Sequence, residues 1–161
     1  MPIQMQTLIQ MRTQTPKPRI VFDANALISA MILPDSISGK AWRLGLMGFE
    51  VITSIAAMEE FDRKLSKPSL QRYFASEAER TEVMVAMNRS MLYVAVESVV
   101  HDSTADHDDD KFLELALDGN AVVIVSGDPD LKMLSPWRGI PILGTGDFVR
   151  AVEGGGFVHQ K

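Results

Sequence analysis

The sequence predicts an α/β fold, a three-layer α/β/α sandwich around a mainly parallel central sheet. Three observations predict it. Short β-rich runs alternate with longer stretches of helical periodicity, the pattern of strands joined by helical crossovers. Ala121 to Val125 is apolar at every position, as in a parallel strand covered on both faces. Asp23 and Asp128 each lie just past such a run, at the C-terminal edge where open α/β sheets build their sites.

Arg19 to Asp23 reads as the first, central strand. Ala24 to Met31 continues as a helix with Asn25 near its start, and Pro34-Asp35-Ser36 breaks it. Ser38 to Met47 is an amphipathic helix carrying Trp42, Leu44 and Leu46 and ending at Gly48. Phe49 to Thr53 is a second strand, and Ser54 can cap a helix that runs to about Ser66. Ser76-Glu77-Ala78-Glu79 is a capping-box pattern. The helix after it sets Val83, Met84, Met87 and Met91 on one face, a stripe that reads as core packing. Tyr93 to Val96 alternates like a strand. A helix from Asp108 or Asp109 to Leu117 stops at Gly119. Ala121 to Val125 and Ile140 to Leu143 are the last strands, and Thr145 caps a final helix through about Val152.

The 161 residues suit one domain, expected over 19–153, with a flexible extension at 1–18 and a flexible tail at 154–161. Cysteine is absent, which excludes disulfides, thiol nucleophiles and cysteine-held zinc. The opening segment lacks the apolar core of a signal peptide, and no apolar run approaches the length of a membrane helix. A cytoplasmic protein without membrane contact is the expectation. Net charge is −5, yet its distribution is uneven. Glu97 to Asp130 holds ten acids and one base, Lys111, whereas Lys40 to Arg72 holds six bases and four acids. Both stretches also suit solvated helix faces.

Four acids carry the chemical argument. Asp23 and Asp128 follow strands, Glu60 lies on a helix, and Asp109 stands at a helix start. Converging carboxylates repel unless a cation joins them, and hard divalent ions suit oxygen ligands. Each acid also has a plainer role. Asp23 can cap its helix, Glu60 can pair with Lys64 four residues on, and Asp128 can start a turn. Asp106, Asp108, Asp109 and Asp110 crowd one helix start, where the dipole favours anions by only about 0.3–1 kcal/mol each. A cation site accounts for that crowding better than the dipole does, with a solvated acidic loop as the other reading. Asn25 can bond metal or substrate, and Ser126 can hold a metal-bound water or a carboxylate. His107, within the acidic run, reads as a bystander.

Taken in order, these segments resemble the PIN-domain proteins, and within them the bacterial toxin components of toxin–antitoxin systems related to the VapC toxins. The resemblance rests on Asp23-Ala24-Asn25-Ala26-Leu27, on Ser54 followed by Glu60-Phe61, on Asp106-His107-Asp108-Asp109-Asp110-Lys111-Phe112-Leu113 and on Ser126-Gly127-Asp128-Pro129-Asp130-Leu131. Ala24 stands where the family has Thr, His107 replaces a Pro, and Ser126 keeps the hydroxyl of a Thr. The resemblance selects Glu60 over Glu59. It implies an endoribonuclease dependent on Mg²⁺ or Mn²⁺, held by Asp23, Glu60, Asp109 and Asp128. Asn25, Ser126, Asp110 and Asp130 would support them. Lys40, Arg43 and Arg63 are weaker candidates for RNA backbone contact. An antitoxin partner and a homodimer are further implications.

Two rival classes remain. A haloacid-dehalogenase-type phosphatase would carry Asp-x-Asp at the first strand, where Asn25 replaces the second Asp. A PIN fold can also serve as an RNA- or protein-binding module without catalysis.

Overall fold

The computed structural model describes residues 16–101 and 107–157. The segments 1–15, 102–106 and 158–161 lie outside the described residues, so the expected N-terminal extension and Asp106 fall largely or wholly beyond them. The strands are β1 (Arg19–Phe22), β2 (Glu50–Thr53), β3 (Leu92–Tyr93), β4 (Ala121–Val125) and β5 (Ile142–Leu143). The helices are α1 (Ala24–Ile32), α2 (Ile37–Gly48), α3 (Ile55–Leu65), α4 (Glu77–Arg89), α5 (Asp110–Asp118), α6 (Pro129–Lys132) and α7 (Thr145–Glu153). Tighter 3₁₀ turns occupy Pro68–Tyr73 and His107–Asp109.

The strands form one sheet in the order β3-β2-β1-β4-β5, with every pairing parallel. Helices cover it as the outer layers of the predicted sandwich. The chain moves outward from β1 through β2 to β3, then crosses to β4 on the other side of β1. The direction of winding therefore reverses between β1 and β4. At such a switch point the two following loops diverge and leave a crevice at the C-terminal edge.

Aromatic side chains organise one layer of the core. Phe22 of β1 meets Trp42 of α2 at 5.5 Å and Phe148 of α7 at 6.1 Å, both edge to face. Phe157 lies in the segment expected as a tail, yet packs on Phe49 at 5.6 Å and on Phe148 at 6.1 Å. Helix α2 approaches β1 closely through Gly45, where a Cβ would lie 2.9 Å from the Phe22 ring. Gly119 stops α5 as expected, and a Cβ there would lie 2.2 Å from Ile52 Cδ1.

Three sequence expectations are corrected. The strand expected over Tyr93 to Val96 is only Leu92–Tyr93. Beyond it the backbone turns to acceptors on α5. Glu97 and Ser98 N–H groups donate to the Asp118 carboxylate at 2.6 and 2.8 Å, and Val100 N–H donates to Glu114 at 3.1 Å. Val94 N–H still donates to the Thr53 carbonyl at 2.9 Å, and the bonds to α5 begin at Glu97. The last strand is likewise shorter than Ile140 to Leu143, because Ile140 pairs back on Trp137 in an isolated bridge. Thr145 is the first residue of α7 rather than its cap; Gly144 precedes the helix and no side chain caps it. The other caps follow the reading. Ser54 Oγ accepts from Ala57 N–H at 3.2 Å, and Ser76 Oγ accepts from Glu79 N–H at 3.1 Å.

The start of α2 is a tight place that yields a test. A Cβ on Gly39 would lie 2.0 Å from the Pro34 carbonyl oxygen, a backbone atom that cannot swing away. Gly39→Ala is expected to cost about 1–3 kcal/mol, the range for overpacking. Gly48, at the other end of α2, has nothing within 4 Å of a new Cβ. Gly48→Ala is expected to be neutral or to stabilise by about 0.4–1 kcal/mol. Denaturant melts of the two variants check the contrast.

Candidate functional site

The crevice is built outward from the end of β1. Asp23 N–H donates to the Val125 carbonyl at 3.0 Å, so the sheet ladder extends to the first acid. Asp23 is buried and caps α1, with Oδ1 accepting from Ala26 N–H at 2.7 Å. Its Oδ2 accepts from the Ser126 hydroxyl. Ser126 is fully buried just past β4, and its Oγ accepts from Asp128 N–H at 3.0 Å. The plain capping role of Asp23 is thus real, and it fixes the carboxylate at the switch point. Ser126 holds a carboxylate, one of the two roles open to it from sequence.

Burial raises the Asp23 pKa above the ordinary aspartate range. The bonds from Ser126 and Ala26 and the charge of Lys64 pull it back, and the charge of Asp128 adds to the rise. Asp23 and Asp128 therefore feel each other across the switch point. Asp128 is half-buried and caps α6, accepting from Asp130 N–H at 2.8 Å. Asp130 itself is exposed.

Glu60 comes from α3, and its burial separates it from its neighbour. Glu60 is 2% exposed, whereas Glu59 faces solvent. Glu60 Oε1 accepts from Lys111 Nζ at 3.2 Å and lies 3.6 Å from the Arg63 guanidinium. Its Oε2 is buried without a hydrogen bond and has Lys64 Nζ 3.9 Å away. Lys64 Nζ also donates to Asn25 Oδ1 at 3.4 Å. Asp109 and Asp110 are buried at the start of α5, and His107 Nδ1 lies 3.2 Å from Asp110 Oδ2.

The donor chemistry suits a hard divalent ion. All candidate ligands are oxygens, and Glu60 Oε2 is a buried carboxylate oxygen without a hydrogen bond. The spacing does not suit one. Among the described residues, no group of three or more His, Cys, Asp or Glu side chains is placed to hold a metal. The convergence of Asp23, Glu60, Asp109 and Asp128 on a shared ion therefore belongs to the proposal below. Beside Glu60, lysine ammonium groups supply positive charge.

The weaker candidates divide. Lys40 pairs with Glu153 at 2.5 Å and Arg43 donates to the Pro34 carbonyl at 2.6 Å, so both serve their own side of the fold. Arg63 is largely exposed next to Glu60. Lys64 and Lys111 are the site residues that sequence reading missed as such. Their signals were present, since Lys64 follows Glu60 by one helical turn and Lys111 is the lone base between Glu97 and Asp130. A cleft of about 510 Å³ lies between α3 and α4 and is lined by Ile55, Met58, Glu59, Met84 and Tyr93 among others. It opens on the Glu59 side of α3 and contains none of the four acids.

A parallel sheet with buried acids at its switch point defines the class as an α/β domain with a carboxylate crevice. The chain belongs to the PIN-domain family, whose profile matches residues 19–130. It is 32% identical over 121 residues to the uncharacterized protein MJ1680 of Methanocaldococcus jannaschii, covering 73% of this chain and 76% of that one. The fold is similar to the crystal structure of PAE2754 from Pyrobaculum aerophilum. The TM-score is 0.56 at 16% identity, covering 84% of this chain and 90% of the other. Among the described residues no helix is long and apolar enough to cross a membrane.

Proposed function

We propose that the crevice is a ribonuclease site of the PIN type, completed by a divalent ion. The observation that carries the proposal is Glu60: a carboxylate buried to 2% exposure, with one oxygen left without a hydrogen bond, facing no apolar role. An unsatisfied buried carboxylate oxygen is costly, and a catalytic role or a bound ion is among the reasons one is kept. Mg²⁺ or Mn²⁺, when bound, would supply the Lewis acidity for hydrolysis of an RNA phosphodiester. Asp23, Glu60, Asp109 and Asp128 would hold it. Ser126 orients Asp23, and Asn25 stands beside them at the start of α1.

A second reading has its own observation. Without a metal-ready group among the described residues, the chain matches a PIN fold that binds RNA or protein without cutting. As the side chains stand, this second reading is the nearer match, and the first requires the lysines beside Glu60 to yield. Purified protein and mixed RNA, with Mn²⁺, Mg²⁺ or chelator, separate the two. Cleavage that depends on the ion supports the nuclease; binding without cleavage supports the module.

If the chain cleaves, Glu60→Gln is expected to lower the rate by about 10²-fold or more, the scale of losing one catalytic carboxylate. Glu59→Gln, on the exposed face, is expected to leave it unchanged. Equal losses would mean that α3 acts as a whole and that Glu60 has no special place. An antitoxin partner and a homodimer belong to the same proposal. The homodimer is checked by light scattering at tens of micromolar protein.

A further inference from the structure

The misfit between donor chemistry and spacing has a specific local form. Glu60 is approached by three cations, and they are not equivalent. Lys111 makes a hydrogen bond at 3.2 Å to Oε1. Arg63 stands 3.6 Å from the same oxygen and is 65% exposed. Lys64 Nζ stands 3.9 Å from Oε2, too far for a hydrogen bond. It also reaches Asn25 Oδ1 at 3.4 Å and lowers the Asp23 pKa through its charge. One loosely held ammonium thus touches or influences three residues of the crevice from α1, α3 and the end of β1.

We propose that Lys64 is a displaceable counter-cation, whose ammonium stands between Glu60 and Asn25 in the place a divalent ion takes on binding. The inference rests on the nuclease reading above and adds the route by which the site assembles. An ammonium and a divalent ion neutralise the same carboxylates, so they exclude one another. The ammonium carries one charge and makes one long hydrogen bond here. The divalent ion carries two charges and draws several oxygens inward at once. Lys64 is 27% exposed and on a flexible four-carbon stem, so it can swing to solvent without unfolding α3. Lys111, less exposed and hydrogen-bonded, stays as the fixed partner of Oε1.

Competition of this kind lowers apparent ion affinity by the fraction of molecules in the open state. A site closed by Lys64 about nine-tenths of the time would bind roughly tenfold more weakly than one without it. The test is calorimetric titration of Mn²⁺ into the whole chain and its Lys64→Gln, Lys64→Met and Arg63→Gln variants. The Gln side chain can still donate to Asn25, so it keeps the local bond without the charge and guards against misfolding. Both Lys64 variants are expected to bind Mn²⁺ about three- to tenfold more tightly than wild type. Arg63→Gln is expected to change affinity by less than about twofold, because Arg63 lies mostly in solvent. Equal tightening in all variants would show mere loss of nearby positive charge and overturn displacement. Unchanged or weaker binding in the Lys64 variants, with wild type still binding, would overturn displacement and leave the nuclease reading standing. If no protein binds Mn²⁺, both proposals fall together.

Discussion

Asp23→Asn is expected to abolish ion-dependent RNA cleavage while holding or raising the melting temperature at neutral pH. The stability half follows from the pocket. Burial holds the Asp23 pKa above its ordinary range, so the ionised form costs the folded state free energy. The sign is definite. A raised folded pKa favours the folded state fully below the unfolded pKa, and this advantage is lost as pH rises through the folded value. The window runs from the ordinary aspartate range up to the raised value of Asp23. Asparagine keeps the same shape. Its carbonyl can accept from Ala26 N–H, and its amide can donate to Ser126 Oγ in place of the present hydroxyl bond. The difference in stability between wild type and variant should therefore grow in favour of the variant as pH is raised through that window. Melts from acid to neutral pH check this without reference to activity. A variant that loses stability steadily as pH rises, relative to wild type, would show that the Asp23 charge is compensated in the fold. The activity half follows from the proposed role, with a loss of about 10²-fold or more.

Much of this arrangement was legible before any coordinates. The strands β1 and β4 declare themselves by uninterrupted apolar runs, and each is followed within three residues by an acid. Two parallel strands paired side by side must bring such residues to one edge, whatever lies between them in sequence. The choice of Glu60 over Glu59 came from the resemblance to the PIN-domain motif that opens with Ser54, and Glu60 is the buried one of the two. Other features depend on tertiary partners that local pattern cannot show. Tyr93 to Val96 alternates like a strand, but pairing ends at the Val94 N–H bond to the Thr53 carbonyl, and the N–H groups of Glu97, Ser98 and Val100 go to carboxylates on α5. Thr145 looks like a cap because threonine usually is one, yet the chain enters α7 one residue earlier. Asp109 and Asp110 were visible as an acidic run. Their burial, and the pairing of Asp110 with His107, were not, because a charge run in sequence has no inside or outside. The lysines escaped notice for a related reason. A base one turn from an acid reads as a surface pair, and only burial of Glu60 turns Lys64 and Lys111 into parts of a site.

That burial makes the Lys111–Glu60 pair the site of the second large effect. Glu60 is 2% exposed and Lys111 is 19% exposed, so little water is present to replace a missing partner. Breaking a buried ion pair from one side typically costs about 3–5 kcal/mol, because a charge is left uncompensated. Here Lys64 and Arg63 remain near Glu60, so Lys111→Met is expected to cost less, about 1–3 kcal/mol. Glu60→Gln removes the buried negative charge instead. The lysine stems can then carry their ammonium groups to solvent, and the cost should be about 1 kcal/mol or less. The double variant should be more stable than the sum of the single losses predicts. The coupling should fall between roughly 0.5 and 3 kcal/mol, the range for residues in direct contact. Urea melts of the four proteins in chelator measure it directly. Additive losses would mean that Lys111 contributes through its aliphatic stem alone and that Glu60 is neutralised by Lys64 and Arg63. In that case no cation would be fixed beside Oε1, and the distinction drawn between a held lysine and a displaceable one would lose its structural basis.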